Sequence, residues 1–323
     1  MATQPNNPQN KSLIDQEDFH TLKDVPPESD WIEEHRSRSE KTAHGYEVDV
    51  NDFKRFLGIK KPEDYRRVSR RHVSEWINHL KSQKLTNETI ARKVSALSSL
   101  FKFYCEQSAL KDNPCRNITR PKVQSNIGKS DIISDSETKK FLNAPPSSDL
   151  RGLRDRAILA VFCFMTLRRS EVSNLKVKNI HNKEGVPHLL VRGKGEKTRD
   201  LPLNPEAMQK IYAYLEADNR LNDLDEPIFC SLKKYKDADG LLKHMSTTAI
   251  YDIVQFYANM VGLKLENFHP HCLRSTGATN AIDNGVDLVA LQHFLGHANI
   301  QTTRMYVRDK SAISDSPAFK IKY

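Results

Sequence analysis

Nine consecutive apolar residues, Ala157 to Met165, are followed almost at once by two adjacent arginines, Arg168 and Arg169. This juncture restricts the fold more than any other stretch. From Leu153 to Phe164 the chain is apolar on nearly every side after its first turn, which predicts a helix buried all round. Charge placed directly after such a helix is costly unless it finds a partner. Glu171 is close enough in sequence to pair with one arginine, leaving the other for a ligand. The apolar run is about half of what a membrane span needs, so no membrane segment is expected.

Length and charge set the wider frame. A chain of 323 residues is enough for about two ordinary domains, each with its own core. The net charge is +9, but residues 1–40 hold nine acids against four bases, a net of −5, so the remainder carries +14. That asymmetry points to a body that binds a polyanion behind an acidic leader. Cys105, Cys115, Cys163, Cys230 and Cys272 lack the paired short spacings of a zinc site, and their odd number argues against a disulfide framework. A reducing, cytoplasmic location is expected. The first residues have neither the basic nor the apolar region of a signal peptide.

Residues 1–28 are polar, acidic and aperiodic, and are expected to be mostly disordered. Residues 29–112 read as an all-α domain. Tyr46, Val50, Phe53 and Leu57 mark one amphipathic helix; Val73, Trp76, Ile77 and Leu80 a second; Ile90, Val94, Leu97, Leu100, Phe101 and Tyr104 a third, after the candidate N-caps Thr86 and Asn87. Arg66, Arg67, Arg70, Arg71, Arg92 and Lys93 fall at positions expected to be exposed, and suit a phosphate backbone. Residues 113–133 form a basic linker with Pro114, Pro121, Arg120 and Lys122. A capping box, Ser134 to Glu137, then opens a second domain spanning residues 134–310.

In that domain Pro187–Arg192 and Lys197–Leu203 read as a hairpin with Lys194 at its tip. Its Gly-Lys-Gly lacks the spacing of a nucleotide-binding P-loop. Pro205 opens a helix, and Pro227–Phe229 reads as a short strand. The Lys233–Lys236 run faces either DNA or solvent. Ser246–Val261 is a further helix. Pro270 starts another, carrying His271 and Arg274 on one face, and Ala278–Phe294 supplies two short helical segments. After a turn at Gly296-His297, the Thr302-Thr303 segment carries Tyr306. Residues 311–323 form a tail. The fold class is mainly α with a small β-sheet, an α+β domain preceded by an all-α one.

An arginine fork matches phosphate oxygens, and a histidine moves protons near neutral pH. The ordered set Arg168, Lys194, His271, Arg274, His297 and Tyr306 is far more specific than any member. It resembles the tyrosine recombinase and phage integrase family through Thr166-Leu167-Arg168-Arg169-Ser170-Glu171, Gly193-Lys194-Gly195, Pro270-His271-Cys272-Leu273-Arg274 and Leu295-Gly296-His297 through Tyr306. The resemblance covers residues 134–310, and the helical region before it looks like the family's core-binding domain.

The resemblance implies a site-specific DNA recombinase in which the two domains clamp double-stranded DNA from opposite sides. Tyr306 is the implied nucleophile, forming a 3′-phosphotyrosine and a free 5′-hydroxyl. Arg168 and Arg274 hold the nonbridging oxygens, and Lys194 is the general acid for the leaving 5′-oxygen. His271 assists proton transfer from Tyr306, and His297 hydrogen-bonds the phosphate. Neither cofactor nor metal is implied. The expected assembly is a homotetramer on synapsed DNA, from chains that are monomers when free.

Thr166, Arg169 and Ser275 depart from the family's frequent glycine, apolar residue and histidine. Arg169 is then either an extra DNA contact or the partner of Glu171. The leading role is integration or excision of a mobile element, virus or plasmid. The alternative is an Xer-like chromosome or plasmid dimer resolvase. A type IB topoisomerase-like enzyme and a DNA-binding protein without catalysis are the readings from other classes.

Overall fold

The computed structural model describes residues 24–121, 132–193, 197–263 and 268–307. The chain divides into two compact units, residues 1–125 and 126–323.

The first unit is helical: α1 (Glu28–Arg36), α2 (Glu40–Leu57), a 3-10 turn (Pro62–Arg67), α3 (Arg70–Ser82) and α4 (Asn87–Glu106). Side-chain oxygens of Ser39 and Thr86 cap α2 and α4, satisfying backbone N–H groups that a helix start leaves open. The apolar stripes of α2, α3 and α4 meet in one core, where Phe53 packs edge-on against Trp76 and Phe101. Helix α1 was not predicted. It lies where the acidic leader ends, and its buried residues are only Trp31 and Ile32, too few to show a period. Trp31 stacks on Tyr46 at 5.3 Å. Val25 is also buried, and Glu28 pairs with Lys54 at 2.7 Å, so residues 24–28 join the helical unit, while residues 1–23 of the expected leader lie outside the described residues.

Lys93 requires a second correction. It is not an exposed base: its ammonium is buried and bonded to Asp49 and Asp52. Helix α4 turns this position toward α2, where two carboxylates compensate the buried charge.

The second unit comprises α5 (Asp135–Asn143), α6 (Leu150–Met165), α7 (Arg169–Ser173), β1 (Ile180–Lys183), β2 (Val186–Arg192), β3 (Thr198–Pro202), α8 (Pro205–Ala217), α9 (Thr247–Met260), α10 (Pro270–Asp283), α11 (Leu288–Leu295) and α12 (Ile300–Arg304). The predicted capping box is present: Ser134 accepts from the Glu137 backbone while Glu137 accepts from that of Ser134. The antiparallel sheet has the order β1-β2-β3, with Leu189 paired to both Ile180 and Leu201. Leu189, Val191 and Leu201 turn inward to the core.

Helix α6 is the centre of this unit, and Ala157 through Phe162 are fully buried. It packs against α8 and α10. Its approach to α10 is close enough to need Gly277, since a Cβ there would lie 2.8 Å from the Cys163 carbonyl oxygen and 2.6 Å from Thr166 Cγ2. The fold is thus mainly helical with one small antiparallel sheet. Strand β1 was not predicted because its sequence, Ile-His-Asn-Lys, has no apolar alternation. The expected strand at Pro227–Phe229 is only an isolated bridge from Pro227 to Lys176. The first segment expected after Ala278 is the second half of α10. Among the described residues no helix is long and apolar enough to cross a membrane.

Candidate active site

The site forms where α6 stops. Thr166 ends the helix in the left-handed conformation, φ 50°, which is unfavourable for a β-branched residue. The chain reverses, and Arg168 becomes the N-cap residue of α7. Glu171, three residues on, accepts from the Arg168 backbone N–H and guanidinium, each at 2.8 Å. It also accepts a bidentate pair from Arg199 on β3, at 3.0 and 3.2 Å. Both arginines hold the Glu171 carboxyl below its usual range despite burial. Its predicted pairing with an arginine is present, and the partners are Arg168 and Arg199. Arg169 instead lies over the ring of Tyr251, 5.6 Å from its centroid.

Arg274 lies on the first turns of α10 and is 1% exposed. It donates to the carbonyls of Thr166 and Leu295, both at 2.5 Å, and to Nε2 of His297 at 3.0 Å. Its Nε has no hydrogen-bond partner among the described residues. No carboxylate pairs with it there, and desolvation together with Arg168 lowers its pKa to about 10. Arg168 reaches the same turn, donating to the Gly296 carbonyl at 3.3 Å. Three guanidiniums, Arg168, Arg199 and Arg274, therefore share one turn with a single carboxylate, Glu171. That imbalance makes an anion-binding site.

His297 follows this turn. A guanidinium offers only donors, so Nε2 of His297 is the acceptor and Nδ1–H donates to Thr303 Oγ1 at 2.9 Å. Desolvation and the charges of Arg274 and Arg168 push its pKa down to about 4. Its ring stacks on that of Tyr306, centroids 6.1 Å apart. Tyr306 follows α12 and is 7% exposed, packed with Ala278, Leu291 and Leu295.

His271 is exposed at the mouth of a cleft of about 390 Å³ lined also by Arg168, Arg169, Tyr251, His269 and Arg274. Crowding by protein atoms, then Arg274, His269 and Arg168, lowers its pKa. The structure thus brings together Arg168, Arg274, His297 and Tyr306, with His271 along the cleft. Lys194 lies outside the described residues. Gly193 and Lys197, which flank the tip, are joined by a 2.7 Å backbone hydrogen bond. Arg199 was not singled out from the sequence, because an arginine in a polar strand carries no signal of its own.

The DNA-backbone candidates fall into several environments. Arg66 and Arg67 end the 3-10 turn and Arg70 starts α3, all exposed. Arg71 pairs with Glu75 at 2.8 Å, Arg92 with Asp49, and Arg120 donates to Ser95 at 3.1 Å. Lys122 lies outside the described residues. In the Lys233–Lys236 run, Lys234 is taken up by the buried Asp218 at 2.9 Å.

The family model described as "Phage integrase family" matches residues 132–312, and that described as "Phage integrase, N-terminal SAM-like domain" matches residues 30–108. The chain belongs to the phage integrase family. It is a tyrosine-type site-specific recombinase by its likeness to a tyrosine recombinase of Pseudothermotoga lettingae, 33% identical over 282 residues and covering 86% of this chain and 91% of the relative. Tyrosine recombinase XerC of Thermodesulfovibrio yellowstonii is 32% identical over 274 residues, 83% and 85% of the two chains.

Two solved structures support this recombinase fold. One is XerH bound to a palindromic difH substrate, with TM-score 0.68, 21% identity and coverage of 90% of this chain and 82% of that one. The other is a lambda integrase dimer on a COC′ core site, with TM-score 0.67, 17% identity and coverage of 88% and 79%.

Proposed function

We propose that this recombinase cuts and rejoins double-stranded DNA through a covalent 3′-phosphotyrosine on Tyr306. The observation that carries the reading is the turn at Leu295-Gly296, where Arg168 and Arg274 converge beside His297 and Tyr306 with too few carboxylates to neutralise them. A scissile phosphate entering there is held by both arginines, whose donors stabilise the charge that builds on its nonbridging oxygens. Tyr306 Oη attacks phosphorus, and the 5′-oxygen leaves with a proton from Lys194. His271, kept neutral at pH 7, takes the Tyr306 proton. His297 gives up Arg274 as the phosphate engages; its ring proton moves from Nδ1 to Nε2 while the Thr303 hydroxyl turns to donate to Nδ1, and Nε2–H then donates to the phosphate. The phosphotyrosine stores the bond energy until a 5′-hydroxyl attacks, so no nucleotide is consumed.

In this reading residues 29–112 and 134–310 are the two DNA-contacting domains, and four chains synapse two duplexes. Of the two biological roles, integration or excision of a mobile element is the leading one, and the XerC-named relatives give support to dimer resolution as the alternative.

A nicked suicide duplex library tests this. The wild-type protein should trap covalent DNA in complexes that sediment as dimers and tetramers, and sequencing that DNA separates a chromosomal or plasmid site from element ends. A monomer that relaxes plasmid irrespective of sequence would instead indicate a topoisomerase.

A further inference from the structure

We propose that Arg199 is a positioning residue for the phosphate clamp, setting both Arg168 and Arg274 through one shared acceptor each. The proposal rests on the recombinase reading above and extends it to a strand residue outside the motifs that carry the family resemblance.

The geometry is specific. One fork of Arg199 grips both oxygens of Glu171, at 3.0 and 3.2 Å, and Glu171 in turn holds the Arg168 guanidinium. The same Nη1 of Arg199 donates to the Leu295 carbonyl at 3.2 Å, and that carbonyl also accepts from Arg274. Arg199 therefore touches neither the cleft nor the nucleophile, yet a single shared acceptor separates it from each phosphate arginine. Its side chain is only 11% exposed, so these bonds are little weakened by solvent.

The turn is shaped around it. Gly296 has φ 64°, and a Cβ there would collide with Nη1 and Cδ of Arg199. The glycine thus serves two ends: the left-handed backbone, and a bare surface on which the guanidinium lies. With Arg199 in place, the Leu295 and Gly296 carbonyls face Arg274 and Arg168, and His297 emerges where Arg274 can reach Nε2. A lysine would keep the positive charge beside Glu171 but could not bridge Glu171 and Leu295 with a rigid fork. Charge and positioning are therefore separable by substitution.

Arg199→Lys and Arg199→Gln are the test variants, compared with wild type at a temperature where circular dichroism shows them folded. The first readout needs no DNA. By ¹⁵N NMR, wild-type His297 should be the Nδ1–H tautomer protonating near pH 4. In both variants the turn loosens, Arg274 leaves Nε2, and the titration should move up toward the ordinary histidine value. Unchanged His297 spectra would overturn the proposal.

The second readout uses duplex recovered from wild-type covalent adducts, with either a phosphodiester or a methylphosphonate at the scissile position. Methylphosphonate lacks one charged nonbridging oxygen, so less depends on the clamp. Arg199→Lys should slow cleavage of the phosphodiester on the order of 10²-fold, the scale of one misplaced preorganised donor, with KM nearly unchanged. On methylphosphonate the deficit should shrink to less than about tenfold on the same scale. Equal deficits on both substrates would mean that Arg199 does not act through the clamp. Absence of any wild-type adduct would strike at the recombinase reading itself, and the His297 titration would still decide the role of Arg199 in ordering the turn.

Discussion

Arg274 donates through Nη2 to Nε2 of His297 at 3.0 Å, and that contact fixes the histidine's tautomer. An arginine offers no acceptor, so the imidazole is neutral with its proton on Nδ1, facing Thr303. Without DNA, His297 serves as a placeholder acceptor for a buried guanidinium. A phosphate that takes over Arg274 frees Nε2 to become a donor once the ring proton moves there from Nδ1 and the Thr303 hydroxyl turns to donate to Nδ1.

The first prediction follows from the burial of His297 as a neutral ring. With a pKa near 4 in the folded chain against about 6.5 when unfolded, the unfolded state binds the extra proton. The ring therefore has no pH-dependent effect on stability above about pH 6.5 and a destabilising one as pH falls from about 6.5 to about 4. Thermal unfolding across that interval should show a smaller loss in His297→Gln than in wild type. Parallel curves would contradict the assignment.

Arg274→Lys isolates the fork from the charge. Lysine cannot span Thr166, Leu295 and the phosphate together, so covalent adduct formation should fall about 10²–10³-fold. Single-turnover cleavage with a suicide duplex measures it, and a loss below about threefold would exclude a phosphate-clamping role on that scale.

Thr166 sits at φ 50° with its hydroxyl buried and unpartnered among the described residues. A glycine relieves a left-handed strain of roughly 1–2 kcal/mol and removes that hydroxyl, against about 1 kcal/mol of added unfolded-chain entropy. Thr166→Gly should raise the unfolding midpoint by a few degrees, about 2–4 °C for a unit of this size. A lower midpoint would show that the Cγ2 contact with α10 outweighs the strain.

Arg67, Arg70 and Lys93 separate a DNA face from a structural base. Arg70→Ala or Arg67→Ala should reduce the slope of log K against log salt by about 0.9 for each lost phosphate contact. Lys93→Met should leave the slope unchanged and alter only stability, because Lys93 is already neutralised by Asp49 and Asp52. Fluorescence anisotropy across a salt series distinguishes them.

Much of the site was legible before any coordinates because it is written in short segments at helix ends. Met165 closes the most apolar helix, so Arg168 had to emerge at a buried edge, and Pro270 had to start the helix that points Arg274 inward. The hairpin was visible in Pro187–Arg192 because alternate residues face the core. What stayed hidden depends on contacts distant in sequence. Arg199 lies 28 residues from Glu171 and acquires meaning only when β3 packs beside α7. Lys93 looked like another base on a basic helix, and its burial follows from Asp49 and Asp52 on α2. The few apolar residues of α1 and the polar β1 gave no periodicity to read.

Tyr306, the proposed nucleophile, lies 7% exposed in a small core, while Tyr251 lines the cleft itself. Peptide mapping of nuclease-trimmed DNA–protein adducts by mass spectrometry decides between them. The expected result is a nucleotide attached through a 3′-phosphate to Tyr306, and no adduct from Tyr306→Phe. A nucleotide on Tyr251, or an adduct that persists in Tyr306→Phe, would contradict it.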